Sequence, residues 1–248
     1  MKLSAAIITF NEERNIDRCL LSIQGVVDEI VVVDSYSNDK TEEICVRHGV
    51  RFIQHPFEGH IQQKNFALSQ TNGEWILSLD ADEALDDELR NSIIALKASQ
   101  DFNGYRMNRL TNYCGHWVRH CGWYPDTKVR LVKRGTARWE GINPHDRLDM
   151  LRGEATGFLQ GDILHYSYYS IDDHLKQIEY FGDISARELH KKGKQVNMMM
   201  IHMKVTAQFF KSYILKAGFL DGKTGWTISK LSAYATFRKY SKLKVLNK

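Results

Sequence analysis

Long hydrophobic runs are missing from this chain of 248 residues. No apolar stretch approaches the roughly 18 residues that a membrane-spanning helix needs. A signal-peptide pattern is missing as well, because Met1-Lys2-Leu3-Ser4 leads straight into a strand-like Ala5-Ala6-Ile7-Ile8. Cysteine is scarce. Cys19, Cys45, Cys114 and Cys121 follow no disulfide-framework spacing, which suits a reducing cytoplasm. Cys114, His116, His120 and Cys121 are residue types that bind zinc, but their order and spacing match no common zinc module. Glycine-rich phosphate loops are absent too. Neither G-x-G-x-x-G after the first strand nor G-x-x-x-x-G-K-[ST] anywhere occurs, so neither a conventional dinucleotide fold nor a P-loop enzyme is supported.

What is present is an alternation of strands and helices. Residues 3–10 read as a strand, followed by a helix start at Asn11-Glu12-Glu13 and an amphipathic stretch through Ile23. Residues 28–34 predict a second buried strand, Lys40 to His48 a helix, and 50–54 a third strand. Gln62 to Gln70 predict a helix and 74–79 a fourth strand. This alternation predicts an α/β fold with a mostly parallel central sheet flanked by helices. Ligands of such sheets collect beyond the carboxyl ends of the strands. That rule gathers Thr9-Phe10-Asn11 with Glu12, Asp34-Ser35 and Asp80-Ala81-Asp82 along one edge.

Asp80-Ala81-Asp82 closes the apolar strand Trp75-Ile76-Leu77-Ser78-Leu79. Two carboxylates one residue apart at a strand end can reach one small volume. They repel unless a divalent cation or a basic partner sits between them. The same acidic run, Asp82 to Glu88, also suits the N-terminus of a helix. Both readings stand at this point.

Charge is unevenly distributed. Residues 1–186 hold 20 Lys/Arg and 28 Asp/Glu, a balance of −8, whereas residues 187–248 hold 14 Lys/Arg and 2 acids, a balance of +12. The basic tail interleaves apolar and aromatic residues, among them Met198-Met199-Met200, Phe209-Phe210, Phe219-Leu220 and Trp226. Such a mixture on helices suggests an anionic surface, either membrane head groups or nucleic acid. The acidic first part argues against nucleic acid. A solvated basic face on ordinary packing helices is the alternative.

Four motifs in order, Ile8-Thr9-Phe10-Asn11-Glu12-Glu13, Val33-Asp34-Ser35 through Thr41, Lys64-Asn65-Phe66-Ala67 and Asp80-Ala81-Asp82-Glu83, resemble those of the family 2 glycosyltransferases. Downstream, Gly122 to Asp126, Val129-Arg130-Leu131, His165 to Tyr168 and Gly218 to Gly222 resemble the lipopolysaccharide core biosynthesis branch. The resemblance implies an inverting enzyme of GT-A fold that uses a nucleotide-sugar donor and a divalent metal, Mg²⁺ or Mn²⁺. It implies a catalytic domain over 1–186, with a donor half to about residue 100, followed by a basic amphipathic helical extension over 187–248. By the same resemblance Asp34 reads a uracil base and Lys64 neutralises a donor phosphate from a position where many relatives carry arginine. Asp80 lies near the ribose or the metal, Asp82 binds the metal directly and His165 completes its site.

An inverting transfer needs a base that takes the proton of the attacking acceptor hydroxyl. Asn143-Pro144-His145-Asp146 stands where relatives carry a His-Glu or Glu-Asp pair, which makes Asp146 the expected base, one methylene shorter than glutamate. His145, Trp123, Tyr124 and Arg130 suit an acceptor groove, where aromatic faces pack sugar rings and arginine meets phosphate or carboxylate. The expected activity is transfer of a hexose from a UDP-sugar to a membrane-associated glycolipid, a lipopolysaccharide core or similar, at the cytoplasmic face of the inner membrane. The alternatives are transfer to a polyprenyl phosphate and a non-catalytic nucleotide-sugar-binding or membrane-scaffold protein.

Overall fold

A computed structural model describes residues 1–98, 100–142 and 145–247, with the backbone alone of Ile142 and His145. The first half runs β1 (Leu3–Thr9), α1 (Ile16–Ile23), β2 (Glu29–Asp34), α2 (Thr41–Arg47), β3 (Arg51–Gln54), α3 (His60–Gln70), β4 (Trp75–Asp80), β5 (Glu83–Leu85) and α4 (Asp87–Leu96). Then come β6 (Gly104–Tyr113), β7 (His116–Val118), β8 (Asp126–Lys133), β9 (Ala137–Ile142), β10 (His145–Met150) and β11 (Gly157–Tyr168). Three long helices follow, α5 (Ile171–Lys191), α6 (Met198–Phe210) and α7 (Gly222–Leu246). Chain contacts divide the molecule into two compact units, residues 1–109 with 126–166 and residues 110–125 with 167–248.

The main sheet has the order β3-β2-β1-β4-β8-β6-β11-β5. Its first four strands are parallel, as the strand–helix alternation requires. The expectation of a mostly parallel sheet needs correcting beyond β4, where β8 pairs antiparallel with both β4 and β6, and β5 antiparallel with β11. The reason is connectivity. Among the described residues no helix intervenes between α4 and α5, and antiparallel neighbours need no crossover helix. The β9–β10 hairpin forms a separate two-stranded sheet.

Both faces of the parallel strands are covered, so their sequences are apolar at successive positions rather than at alternate ones. Leu3, Ala5 and Ile7 of β1 pack with Ile16, Cys19, Leu20 and Ile23 of α1 and with Leu89 and Ile93 of α4. Ala6, together with Val31 and Val33 of β2, turns the other way onto Ala67 and Leu68 of α3 and onto Trp139 and Leu148 of the hairpin. Registers match Thr9 with Asp34 and Ile8 with Asp80, so β1, β2 and β4 end nearly level.

The second unit is built on α5 and α7. Glu179 of α5 meets Arg238 at 2.6 Å and Lys242 at 2.9 Å, and these hydrogen bonds lower its carboxyl to about 2. Tyr113, Trp123, Tyr168 and His174 form one ring cluster, with centroids 4.7–6.0 Å apart. His174 Nδ1 lies 3.0 Å from the Tyr113 hydroxyl, and burial lowers this imidazole from 6.5 to about 4. The unfolded chain therefore takes up a proton that the folded chain refuses, so stability is full above about pH 6.5 and falls as pH drops toward 4. His174→Gln should flatten that fall in the urea midpoint; an unchanged slope would show that another group causes it.

Candidate active site

The level strand ends place their polar residues around one cleft of about 340 Å³. Thr9, Phe10, Glu12, Ser35, Phe57, His60, Asp80, Asp82 and His165 line it. The loop after β1 is held by side chains of the loop after β2. Asn11 donates its backbone N–H to Ser37 Oγ at 2.7 Å, and Glu12 donates its own to Thr41 Oγ1 at 2.8 Å. Asn11 has a left-handed φ of 54°, which asparagine tolerates, and its Oδ1 accepts from the Asn38 N–H at 2.9 Å. Asp34 is fully buried, and its two oxygens accept from the N–H and the hydroxyl of Ser37. Its observed work is to build this turn, and its neighbour Ser35 reaches the cleft.

Burial pushes the Glu12 carboxyl up to about 7; the charges of Asp82, Asp39 and Asp80 add to this, against a hydrogen bond from Asn15. Near neutrality Glu12 is therefore divided between its acid and its carboxylate. The Thr9 hydroxyl is buried without a protein hydrogen-bond partner.

The three acids of Asp80-Ala81-Asp82-Glu83 take different partners. Lys64 Nζ stands 3.0 and 3.1 Å from the two oxygens of Asp80, and Arg130 Nη2 is 3.4 Å from Oδ2. Burial alone would raise the Asp80 carboxyl, but Lys64, Arg130 and Arg109 together hold it well below the usual range. Asp82 turns to His165 instead, with Oδ2 and Nε2 at 3.2 Å. Burial and the neighbouring Asp80 raise its carboxyl, and His165 together with Arg109 brings it below its usual value. Glu83 is fully buried and accepts from the Asp80 N–H at 3.0 Å and from Arg130 Nη2 at 2.7 Å, with Arg109 Nη1 at 3.5 Å.

Lys64 also reaches Asp146 Oδ2, at 2.8 Å. This meeting is arranged by its neighbour. Asn65 of α3 donates to the Trp139 carbonyl at 2.9 Å and accepts the Trp139 N–H at 3.0 Å, which clamps β9 to the helix. In the hairpin Asp146 stands opposite Gly141, so the clamp carries it toward Lys64. The Lys64 ammonium lies 4.2 Å from the centre of the Trp139 ring, and the Arg130 guanidinium 5.1 Å from it. Arg147 pairs with Asp149 and leaves Asp146 to Lys64.

The residues expected to hold a divalent metal fit that task chemically. A carboxylate oxygen and an imidazole nitrogen lie side by side at the cleft, and His165 Nδ1 is buried without a protein partner. Among the described residues no three His, Cys, Asp or Glu side chains gather into a cage. Such a site suits an ion that takes its remaining ligands from a bound diphosphate. In the cysteine–histidine cluster Cys121 packs against Ser229 and His116 pairs with Asp221.

The expected acceptor residues are placed differently from one another. Arg130 is buried, and its Nε and Nη1 have no hydrogen-bond partner. Trp123 and Tyr124 belong to the second unit, Trp123 in the ring cluster and Tyr124 under the Arg119 guanidinium at 5.2 Å. The side chain of His145 lies outside the described residues. Sequence reasoning gave no task to Glu83 or Arg109. The available signal was an acid opening the apolar Glu83-Ala84-Leu85 strand, where burial demands a cation.

The residue 4–163 stretch matches the family model of glycosyl transferase family 2, and the chain belongs to that family. It is 31% identical to an uncharacterized glycosyltransferase of Rickettsia bellii, over 99% of this chain and 87% of that one. It is 27% identical to the lipopolysaccharide core biosynthesis glycosyltransferase LpsC of Rhizobium meliloti, over 97% of this chain and 94% of the relative. The crystal structure of S. aureus TarS 1-349 is similar in fold, with a TM-score of 0.50 at 14% identity, covering 99% of this chain and 90% of that one. The architecture is the GT-A fold, and the protein is a glycosyltransferase.

Lys64→Met should destabilise the protein by about 3 kcal/mol, because it leaves the Asp80 and Asp146 carboxylates without their shared cation. Urea unfolding measures this. A loss below about 1 kcal/mol, the range of an exposed pair, would mean that solvent screens the cluster.

Proposed function

We propose that the protein transfers a hexose from a UDP-sugar to a membrane-associated glycolipid, with inversion at the anomeric carbon. The observation that carries this reading is the Lys64 ammonium, which joins Asp80 at the donor cleft to Asp146 on the hairpin. Donor and base functions are thereby held within one ion-paired cluster.

In this reading Thr9, Glu12 and Ser35 line the donor cleft, Asn11 holds the donor loop beside it, and Asp34 shapes the turn that faces the nucleoside. Lys64 lies beside the cleft as a positive charge for donor phosphate. Asp82 and His165 would hold Mg²⁺ or Mn²⁺, which would supply positive charge to the departing diphosphate. Asp146 takes the proton of the acceptor hydroxyl as that oxygen bonds to the anomeric carbon and the bond to the diphosphate breaks. Trp123 and Tyr124 are proposed to receive the acceptor, with His145 beside the base, and Arg130 to hold Asp80 in place. The similarity to LpsC supports a lipopolysaccharide core or related acceptor.

No helix among the described residues is long and apolar enough to cross a membrane. The basic C-terminal helices would meet the cytoplasmic face of the inner membrane peripherally, with a charge of +12 over residues 187–248.

Asp146→Asn should leave UDP-sugar binding unchanged and lower turnover by about a hundredfold, the scale of a lost general base. Calorimetric donor titration beside a transfer assay separates the two, and a collapse of donor affinity would move Asp146 into the donor pocket. Asp82→Ala should abolish the metal dependence of UDP-sugar binding. Equal binding by parent and variant with and without Mn²⁺ would remove the metal from the reading.

A further inference from the structure

The corner between α6 and α7 is built inside out. A π-helical turn, Lys211–Leu215, and a 3-10 turn, Gly218–Asp221, connect the two helices. Small and polar residues of this corner face inward. Ser212 and Ser229 are 2% and 0% exposed and hydrogen-bond to each other at 3.1 Å, and Asp221 accepts the His120 N–H at 2.9 Å. A Cβ on Gly225 would stand 1.8 Å from the Gly218 carbonyl oxygen, and one on Gly218 would stand 2.8 Å from Cys121 Sγ. The tight inner packing therefore leaves large side chains nowhere to go but out.

Apolar groups occupy the outer side. Leu215 and Leu220 are 78% and 61% exposed, and Ile214 and Phe219 are about half exposed. Tyr213 bridges Phe219 and Trp226 with ring centroids at 6.3 and 5.2 Å, which makes one aromatic patch of the outer residues. Leucines so exposed bury little within the fold, and an apolar patch rimmed by polar residues marks an interaction surface. Lys211, Lys216 and Lys223 are exposed around the same corner.

We propose that this corner inserts into the interface of a lipid bilayer that carries anionic head groups. Leu215 and Leu220 enter the acyl boundary, Tyr213 and Trp226 lie at head-group level, and the three lysines pair with lipid phosphates. A second copy of the chain suits the patch less well, because a self-complementary contact would bring its lysines against lysines of like charge. The inference rests on the reading that the acceptor is membrane-anchored. Its test contains no donor and no acceptor sugar, so it stands or falls apart from the transfer reaction.

The full chain is sedimented with vesicles of phosphatidylcholine alone and with vesicles of equimolar phosphatidylcholine and phosphatidylglycerol. The parent should bind the anionic vesicles and largely ignore the neutral ones. The double variant Leu215→Gln/Leu220→Gln should bind at least about tenfold more weakly, since only exposed apolar area is removed. Lys211→Gln/Lys216→Gln/Lys223→Gln should weaken binding and reduce its dependence on salt. Both variants alter exposed side chains, and circular dichroism checks that they fold as the parent does. Acyl-brominated lipid should quench part of the tryptophan fluorescence, and Trp226→Phe should remove that part. Parental binding by the leucine variant overturns the proposal, as does a concentration-dependent doubling of mass, abolished in that variant, in a parent that binds no vesicles.

Discussion

One ammonium group, that of Lys64, stands between two carboxylates from distant parts of the chain, and the arrangement of the first unit depends on it. Asp80 ends β4, and Asp146 lies on a hairpin that, among the described residues, shares no strand pairing with the main sheet. The hairpin is joined to the body by Trp139 and Leu148 in the core, by the paired hydrogen bonds of Asn65, and by this ion pair. Apolar packing is tolerant of small slides, whereas a charge pair at 2.8 Å is not. Lys64 therefore sets where Asp146 sits relative to the strand ends. Lysine rather than arginine suits this position, because a compact point charge can serve two carboxylates that do not share a plane.

Burying three acids within four residues requires basic partners on more than one side. Asp80 has Lys64 and a longer contact to Arg130, Asp82 has His165, and Glu83 has Arg130 and Arg109. Glu83 does more than balance charge, since it also accepts the Asp80 N–H and so fixes the backbone where the strand ends. Arg130 contributes only Nη2 to these contacts, while its other nitrogens stay buried and unpaired. Leaving guanidinium donors unpaired in the interior is costly. Its alignment is therefore set by the acids and the Trp139 face, and not by satisfaction of the guanidinium itself.

The sequence made the parallel half of the sheet legible because burial on both faces leaves continuous apolar strands separated by amphipathic helices. The antiparallel half was not legible in the same way. Its strands mix charge with apolar residues, as in Asp126-Thr127-Lys128-Val129-Arg130, and their partners are distant in the chain. The acidic run 80–88 had two readings, and both are true of different residues. Asp86 accepts the Leu89 N–H at 2.7 Å as the helix cap, with Asp87 and Glu88 in the first turn, while Asp80 and Asp82 line the cleft and Glu83 turns inward to Arg130 and Arg109. A short strand, Glu83–Leu85, separates the two groups, and three residues are too few to announce a strand by pattern. Arg130 and Lys64 show a further limit, because a cation's burial depends on acids brought from elsewhere by the fold.

The basic tail shows why net charge describes a surface incompletely. A balance of +12 over residues 187–248 fits any anionic partner, and it also fits a solvated helix face. Part of that charge is internal to the unit: Arg238 and Lys242 are bound to Glu179 of α5, so they hold α5 against α7. The lysines at the α6–α7 corner border exposed leucines and aromatics instead. That separation divides the tail by task, with cations that pair inside the fold at one place and cations around an apolar patch at another. A solvated helix face needs no such patch, and a purely electrostatic contact needs no buried serines to hold leucines outward. The combination is what an interfacial anchor requires: apolar area for insertion and positive charge for attraction, on a corner whose small residues leave no room for the leucines to fold back.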